Sequence, residues 1–173
     1  KIYFADFWPN FQFEDNYFYH LLNTAYDVEV TSDNPDFLFH SVDYLQKKEY
    51  RNFQNKNTKK IFFTGENIIP DLNETDYSLS FVDNLGPKNY RLPLWVLFIN
   101  WFDIKNNTNR DPAYLIPIRK LESENLRNNI FKPFFCSFVA SKPTGKRLDF
   151  VPKIDSIQKV HNLGELYSNS YLK

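Results

Sequence analysis

Short apolar runs that alternate with polar, turn-forming segments set the hydrophobic pattern of this chain. The most informative stretch is 59–67, in which an apolar run at 61–63 follows two lysines and precedes a glycine. A continuous apolar run of this length favours a central parallel strand that is buried on both faces. Gly65 permits a sharp exit from that strand. The sequence therefore predicts that Glu66 and Asn67 stand just past its carboxyl end, where open α/β sheets bind ligands.

The rest of the chain alternates between predicted strands and predicted helices. Strands are predicted at 1–5, 28–31, 37–40, 60–64, 77–82, 134–141 and 159–163, and helices at 14–25, 43–50, 91–102, 122–130 and from 146 onward. Apolar residues at helical spacing in 14–25 and 91–102 predict that each of these helices turns one stripe towards the core. Such alternation is typical of an α/β fold, here a Rossmann-like parallel sheet with helices on both faces. We place a boundary near residue 130, with one domain at 1–130 and an incomplete second domain at 131–173.

Composition restricts the class of protein. The chain has 173 residues, enough for one domain and part of another, and its 18 Phe and 11 Tyr supply ample core material. No apolar run approaches the roughly 18 residues of a transmembrane helix, and no secretory signal begins at Lys1. Because the sequence contains no methionine, even at position 1, we expect it to begin inside a longer precursor. A cytoplasmic protein and a soluble part of a longer membrane-anchored protein both stay open.

The net charge is zero, but charged residues are unevenly distributed along the chain. Residues 1–46 carry eight acidic residues and one basic residue, whereas residues 88–173 carry fourteen basic and seven acidic ones. This balance argues against nucleic-acid binding, which needs a dominant basic face. It allows a basic region late in the chain to meet an anionic ligand. One cysteine and three scattered histidines give no zinc-ligand spacing, so we expect no metal site.

Two features of the sequence offer chemistry. The first is Glu66 after its buried strand, for which the alternative is an ordinary solvated loop carboxylate. The second is the strand at 134–141, its polar loop and Arg147 at a helix start, which together suit a phosphate or simply face solvent. Trp8, after the first strand, suits a sugar-stacking platform or a cap on the core. The sequence contains no phosphate loop, dinucleotide fingerprint or serine nucleophile elbow.

Three groups of motifs follow one another along the chain. They are Lys60-Ile61-Phe62-Phe63-Thr64-Gly65-Glu66-Asn67 with Pro70; Asp76-Tyr77-Ser78-Leu79-Ser80-Phe81 followed by Tyr90-Arg91-Leu92-Pro93-Leu94-Trp95; and Phe135-Cys136-Ser137-Phe138-Val139-Ala140-Ser141 with the later Arg147. In content and order this series resembles family 10 glycosyltransferases, the α-1,3/1,4-fucosyltransferases, over most of 59–95 and 134–163. The resemblance implies a GT-B-type protein with two Rossmann-like domains, the first for the acceptor and the second for GDP-fucose.

The resemblance also implies a reaction. Glu66 would be the general base, which takes the proton from an acceptor hydroxyl while that oxygen attacks C1 of fucose with inversion. Arg147 would face the GDP phosphates and help to neutralise the leaving diphosphate. Ser141 and Lys142 would lie beside it in the donor site. Neither a cofactor nor a metal is implied, because GDP-fucose is itself the donor substrate.

Contacts to an oligosaccharide acceptor are implied for three residues, namely Trp8, Asn67 and Arg91. Each would touch the acceptor or shape the site around it. For Arg91 a purely structural role is an equal alternative.

The chain departs from the family pattern in its donor region. Lys142 stands where the family commonly has asparagine, and the loop that leads to Arg147 is one residue shorter. The family's donor signature, a Tyr and a Glu-Lys pair, does not occur before Lys173. We therefore expect an acceptor domain plus the start of a donor domain, with weak GDP-fucose binding and little or no turnover unless a second half is supplied. The alternatives are a non-catalytic glycan-binding module and a structural Rossmann-like domain.

Overall fold

The computed structural model of the protein describes residues 1–42, 47–55, 57–103, 115–122, 133–140, 145–162 and 164. The chain forms two compact units, Lys1–Glu122 and Ser123–Lys173. The boundary predicted near residue 130 lies outside the described residues. Within the described ranges, no helix combines the length and the apolar content needed to cross a bilayer.

The described residues of the first unit form strands, two short α-helices and two 3-10 helices. In chain order these are β1 (Ile2–Ala5), α1 (Tyr17–Asn23), β2 (Phe37–His40), the 3-10 helix η1 (Glu49–Asn52), β3 (Lys59–Phe63), β4 (Tyr77–Ser80), β5 (Asn89–Arg91), the 3-10 helix η2 (Leu94–Phe98), β6 (Ile99–Asn100), β7 (Ile116–Pro117) and α2 (Ile118–Glu122). The described part of the second unit contains β8 (Cys136–Phe138), α3 (Gly145–Asp155) and β9 (Val160–Asn162). Strands β8 and β9 pair in parallel.

Strands β1 to β5 form one parallel sheet in the order β1-β2-β3-β4-β5. β3 lies at its centre, which confirms the position predicted for the apolar run at 61–63. In the register of the sheet, Phe39 pairs with Ile61, and Ile61 pairs with Tyr77. Helical segments pack on both faces, so the predicted Rossmann-like α/β class is confirmed.

One face of the sheet, which we call the aromatic face, carries Phe4, Phe39 and Phe63. Phe18 of α1 packs onto this face, with its ring centroid 5.2 Å from that of Phe39 and 5.0 Å from that of Phe63. Phe4 stacks on Phe39 at 5.3 Å. Burial of these rings and their mutual packing both stabilise the fold. Phe18 is the buried side chain of α1, and Tyr17, Tyr19 and Leu22, which are partly buried, pack against the same cluster.

The opposite face, which we call the mixed face, carries Leu38, His40, Phe62 and Ser78. Leu38 is fully buried and belongs to the same apolar cluster as Tyr50 of η1. This face therefore carries both apolar and polar side chains, whereas the side chains named on the aromatic face are all phenylalanines.

The prediction that β3 is buried on both faces is only partly correct. Phe63, on the aromatic face, is fully buried, but Phe62, on the mixed face, is half-buried. Among the described residues, η1 packs on this face through Tyr50. Phe62 lines an open cleft.

Helix α1 is shorter than the predicted 14–25. The side chain of Asn16 accepts a hydrogen bond from the N–H three residues later, at 2.9 Å, and so caps the helix start. At the other end the hydroxyl of Thr24 donates to the carbonyl of Leu21 at 2.6 Å. Within the predicted apolar stripe Phe18 alone is buried, and Leu21 is exposed.

The strand predicted at 28–31 is reduced to one parallel bridge between Val30 and Ile2. The hydroxyl of Thr31 accepts a hydrogen bond from the N–H of Asp33 at 3.1 Å. This local hydrogen bond belongs to a turn. The turn ends the pairing with β1 after one bridge.

The helix predicted within 91–102 is present only as the short 3-10 helix η2, which Pro93 precedes. The N–H of Leu92 donates to the carbonyl of Ser80 at 2.9 Å, so the strand pairing of β5 continues into this segment. Pro93 is extended, with ψ 134°, and only the short η2 follows before β6. Phe98, expected on a buried stripe, is exposed. Strand pairing on the sheet edge has overridden an apolar spacing that suits a helix.

In the second unit, β9 confirms the strand predicted at 159–163, and α3 confirms the helix predicted from 146. β8 is shorter than the predicted 134–141. Most of the helix predicted at 122–130 lies outside the described residues, as does the first half of the helix predicted at 43–50. The described end of that second segment forms the 3-10 helix η1.

Candidate active site

The candidate site lies at the carboxyl edge of the five-stranded sheet. Because these strands are parallel, all of their carboxyl ends meet at one edge. The segments that leave the strands there begin at Asp6, Ser41, Thr64, Phe81 and Leu92. The hydroxyl of Ser41 donates to the carbonyl of Phe63 at 2.9 Å and ties two of these exits together.

The exit of β3 is a tight, hydrogen-bonded turn. Thr64 is fully buried, and its N–H donates to the carbonyl of Leu79 at 3.1 Å. Its hydroxyl accepts from the N–H of Glu66 at 2.9 Å, and the carbonyl of Glu66 accepts from the N–H of Ile68 at 2.8 Å. The backbone of Glu66 is therefore held on both sides by hydrogen bonds, while its side chain is exposed.

Gly65 packs against a side chain at this turn. A Cβ at Gly65 would lie 2.9 Å from Cδ1 of Leu94 in η2, so a larger residue would displace the end of that leucine side chain. Gly65 is not among the described residues with positive φ. The exit therefore does not use the left-handed backbone region that favours glycine. The β3 exit and η2 lie directly against each other.

The structure places Glu66 and Asn67 together past the carboxyl end of β3, and both are exposed. This is the position that the sequence predicts for them. A carboxylate on a fixed backbone at this edge can meet a hydroxyl that approaches from solvent. The neighbouring amide can both donate and accept hydrogen bonds.

Trp8 lies in the loop after β1, also at the carboxyl edge. The carboxylate of Asp6 accepts hydrogen bonds from the N–H groups of Glu49 and Tyr50 at 3.0 and 2.9 Å, which ties this loop to η1. Trp8 packs edge-on against Phe11, with ring centroids 4.9 Å apart, and is 41% exposed. It lines a cleft of about 240 Å³, which we call the Trp8 cleft. The indole thus meets the core and also presents surface to the cleft.

Arg91 is exposed at the end of β5, and its Nε lies 3.1 Å from Oδ1 of Asp83. The two residues belong to the segments that follow β4 and end β5. The ion pair joins neighbouring strand ends, which favours the structural alternative for Arg91. As both side chains are more than half exposed, the pair contributes little to stability.

The residues predicted for the donor site are in the second unit. Ser141 and Lys142 lie outside the described residues. Arg147 falls in the first turn of α3, which begins at Gly145, and its side chain also lies outside the described part. Of the side chains in the described ranges, no group of three or more His, Cys, Asp or Glu could hold a metal ion.

Sequence reasoning missed a cluster on the mixed face. His40 is 4% exposed and stacks on Tyr50, with ring centroids 4.3 Å apart and planes 13° apart. The hydroxyl of Tyr50 donates to Glu74, and Arg51 bonds to both of them. These side chains come from distant segments, so no local motif marks them. The one signal in the sequence is a histidine at the end of a predicted buried strand.

Burial determines the charge state of this cluster. Desolvation, with a smaller contribution from Lys60, lowers the pKa of His40 to about 4, although Glu74 opposes the shift. Burial and the hydrogen bond to Glu74 raise the pKa of Tyr50. At neutral pH the imidazole is therefore uncharged and the phenol keeps its proton.

Comparisons with known proteins agree with this architecture. Residues 2–98 match the profile of the α-(1,3)-fucosyltransferase FucT N-terminal domain. Three crystal structures of α1,3-fucosyltransferase are similar in fold: one with GDP-fucose (22% identity, TM-score 0.56), one with GDP (23%, 0.55) and a third (22%, 0.59). The alignments cover 95, 94 and 95% of this chain but 52, 52 and 53% of those chains. No curated protein sequence gives a significant match.

These comparisons differ in what they establish. At such identities the structural likeness shows the fold alone, and it confirms the predicted GT-B-type class. This chain spans about half the length of those solved structures. The profile match is independent of that likeness and covers more than half of the chain. The chain therefore belongs to the α-(1,3)-fucosyltransferase FucT N-terminal domain family.

Proposed function

We propose that this chain supplies the acceptor-binding part of an inverting fucosyltransferase, with Glu66 as the general base. The observation that carries the proposal is the β3 exit. It holds the backbone of an exposed glutamate by hydrogen bonds on both sides, at the edge where parallel sheets bind ligands. Family membership supports the same assignment, since the motif with Glu66 lies inside the matched residues 2–98.

In the proposed reaction the Glu66 carboxylate accepts the proton of an acceptor hydroxyl. The oxygen attacks C1 of fucose from the side opposite to the diphosphate, and the bond between C1 and the phosphate oxygen breaks. The electron pair of that bond leaves with GDP, so the new glycosidic bond has inverted configuration. The proton ends on Glu66 and the negative charge on the diphosphate, which balances the step.

Residues of the second unit are proposed to stabilise the leaving diphosphate. Arg147 would neutralise the developing charge, and Ser141 and Lys142 would add hydrogen bonds to the phosphate oxygens. The start of α3 at Gly145 supports this assignment, because the N–H groups of a first helical turn attract anions. One of the solved structures with this fold contains GDP-fucose and another contains GDP.

The acceptor is proposed to be an oligosaccharide that enters along the carboxyl edge. Trp8 offers an exposed aromatic surface in the Trp8 cleft, and aromatic rings pack well on the apolar faces of sugars. Asn67, exposed next to Glu66, would bond a sugar hydroxyl beside the base. The ion pair with Asp83 favours a shaping role for Arg91 over direct contact with the acceptor.

We further propose that these 173 residues alone bind GDP-fucose weakly and turn it over slowly or not at all. The family's donor signature does not occur among them, and the solved structures of this fold are about twice as long. The second candidate function is a glycan-binding module without catalysis. The Trp8 cleft favours it, because that cleft is formed wholly within the first unit.

The test is fucose transfer from GDP-fucose to simple sugars and N-acetyllactosamine-type acceptors, using the longest natural chain that contains these residues. Glu66→Gln and Glu66→Ala should lower kcat by about 100-fold or more, the usual contribution of a positioned base. Acceptor binding should persist in both. Glu14→Gln, a change at another exposed carboxylate, is the matched control and should leave transfer unchanged.

Robust transfer by both Glu66 variants would exclude the base role. Glycan binding without transfer in every chain length tested would favour the binding module.

A further inference from the structure

The lining of the Trp8 cleft comes from two segments that are distant in sequence. One is the loop after β1, which contributes Asp6, Trp8 and Phe11 among others, and the other contributes Lys47 and Glu49. Glu49 is the first residue of η1, and its Oε1 lies 3.7 Å from Nζ of Lys47. The shape of the cleft therefore depends on how the loop and η1 are held relative to each other.

Asp6 joins these two segments. One of its carboxylate oxygens accepts a hydrogen bond from the N–H of Glu49 at 3.0 Å, and the other accepts one from the N–H of Tyr50 at 2.9 Å. These N–H groups open η1, so no carbonyl within that helix can accept them. Lys48, at the N-cap position, makes no capping hydrogen bond through its side chain. A carboxylate 43 residues earlier in the chain than Glu49 thus replaces the local cap.

The backbone of Asp6 is left-handed, with φ 58°. Most side chains disfavour this region, whereas aspartate and asparagine visit it more readily. The next residue, Phe7, is buried in the core, and the N–H of Phe11 then donates to the carbonyl of Trp8 at 3.2 Å to close a turn. The left-handed step at Asp6 therefore directs the chain from β1 into the segment that presents Trp8.

Both features of Asp6 favour a positioning role over contact with a substrate, because each carboxylate oxygen already accepts an N–H of η1. We infer that Asp6 is a positioning residue for the acceptor, which holds Trp8 in place relative to Lys47 and Glu49 and so sets the shape of the Trp8 cleft. The assignment of the cleft to the acceptor rests on the proposed function. The link between Asp6 and the position of Trp8 does not.

The first experiment measures the surroundings of Trp8 without any reaction. The longest natural chain that contains these residues is labelled with 5-fluorotryptophan, and Trp8→Phe identifies the ¹⁹F resonance of Trp8. Asp6→Gly permits the left-handed backbone but removes both hydrogen bonds, so this resonance should shift or broaden while those of Trp95 and Trp101 stay unchanged. Asp6→Asn keeps an acceptor oxygen and tolerates the same φ, so its effect should be smaller.

Asn34→Gly is the matched control. Asn34 is also left-handed, with φ 48°, and its side chain bonds Asp33 and Asn55. It is exposed in the loop before β2, at the amino edge of the sheet, so its variant should leave the Trp8 resonance unchanged. A Trp8 resonance that is also unchanged in Asp6→Gly overturns the inference.

The second experiment measures fucose transfer by the same chains. Asp6→Gly should raise the KM for the acceptor about tenfold and leave kcat within about twofold, because it alters the cleft and not the base. Asp6→Asn should recover most of the affinity. In a chain that already carries Trp8→Ala, Asp6→Gly should raise KM no further, since both residues act through one surface.

A fall in kcat at constant KM, or additive effects of the two changes, would overturn the inference, because Asp6 would then support the fold in general and not the cleft. These outcomes are separable from failure of the proposed function. A wild type that transfers no fucose counts against that function, whereas the ¹⁹F spectra still decide whether Asp6 positions Trp8.

Discussion

The two faces of the central sheet differ in whether their buried side chains need hydrogen-bond partners. On the aromatic face, Phe4, Phe18, Phe39 and Phe63 contact one another, and none of their side chains needs a hydrogen bond. On the mixed face, His40 is equally buried but has polar atoms without partners among the described residues. The comparison separates a surface whose buried side chains need no hydrogen bonds from one that keeps a buried polar ring without partners among the described residues.

The largest expected effect comes from a matched pair of truncations on β3. Phe63→Ala should cost about 3–5 kcal/mol of unfolding free energy, because its ring is fully buried among other rings. Phe62→Ala, one residue away on the mixed face, should cost about 1–2 kcal/mol, since that ring is half-buried. Urea denaturation of the two variants measures the difference. Equal losses would show that both faces are packed alike.

The next effect concerns pH. The pKa of His40 is about 4 in the folded protein but near its ordinary value of 6.5 in the unfolded chain. Between these values the unfolded chain takes up a proton that the folded chain does not. Stability is therefore full above about pH 6.5 and falls as the pH drops towards 4, by about 3 kcal/mol at most.

The check is the difference in unfolding free energy between the wild type and His40→Phe, measured from pH 7.5 to pH 4. Subtraction of the variant removes the contribution of Glu74, whose lowered pKa is present in both proteins, and Tyr50 stays neutral because its pKa is raised. The difference should fall as the pH decreases. A difference that stays constant over this range would contradict the buried, neutral imidazole.

A smaller loss of stability is expected from truncation of Asn89, whose side chain bonds other polar groups on the mixed face. Oδ1 of Asn89 accepts hydrogen bonds from the hydroxyls of Ser78 and Ser80 at 2.7 and 2.8 Å, and its Nδ2 donates to the carbonyl of Val82 at 2.7 Å. Asn89→Ala leaves both buried hydroxyls without this acceptor, so it should cost about 1–3 kcal/mol. Thermal or urea unfolding measures the loss.

Asn67→Ala, at an exposed position past β3, is the matched control for Asn89→Ala and should stay within about 0.5 kcal/mol of the wild type. If both variants lose the same free energy, the serine hydroxyls have found other partners.

The sequence predicted most of the sheet because its strands are marked locally. The runs at 37–40, 61–63 and 77–80 are short and bounded by polar turn residues, and each forms a strand where expected. The position of Glu66 past β3 follows from the same local pattern. Its role as a base came from the resemblance and stays a prediction.

Features set by distant contacts were not predictable. The segment at 91–102 has helical spacing, but the bond between Leu92 and Ser80 depends on where β4 lies. The cluster of His40, Tyr50, Arg51 and Glu74 depends on side chains from the end of β2, from η1 and from the loop before β4. No pattern along the sequence records that these meet. The packing of Gly65 against Leu94 was likewise not predictable, because Leu94 is remote in sequence.

The order of the five strands has a consequence for synthesis of the chain on the ribosome. Each strand from β2 to β5 pairs with the strand made immediately before it, so the sheet grows by addition at one edge. No strand has to insert between two that are already paired, and each loop is closed before the next begins. Pairing between strands that are neighbours in sequence keeps the contact order lower than pairing between distant strands would, and domains generally fold from the amino terminus as they emerge. We therefore expect β1 to β3 and the turn with Glu66 to assemble before β5 has left the exit tunnel.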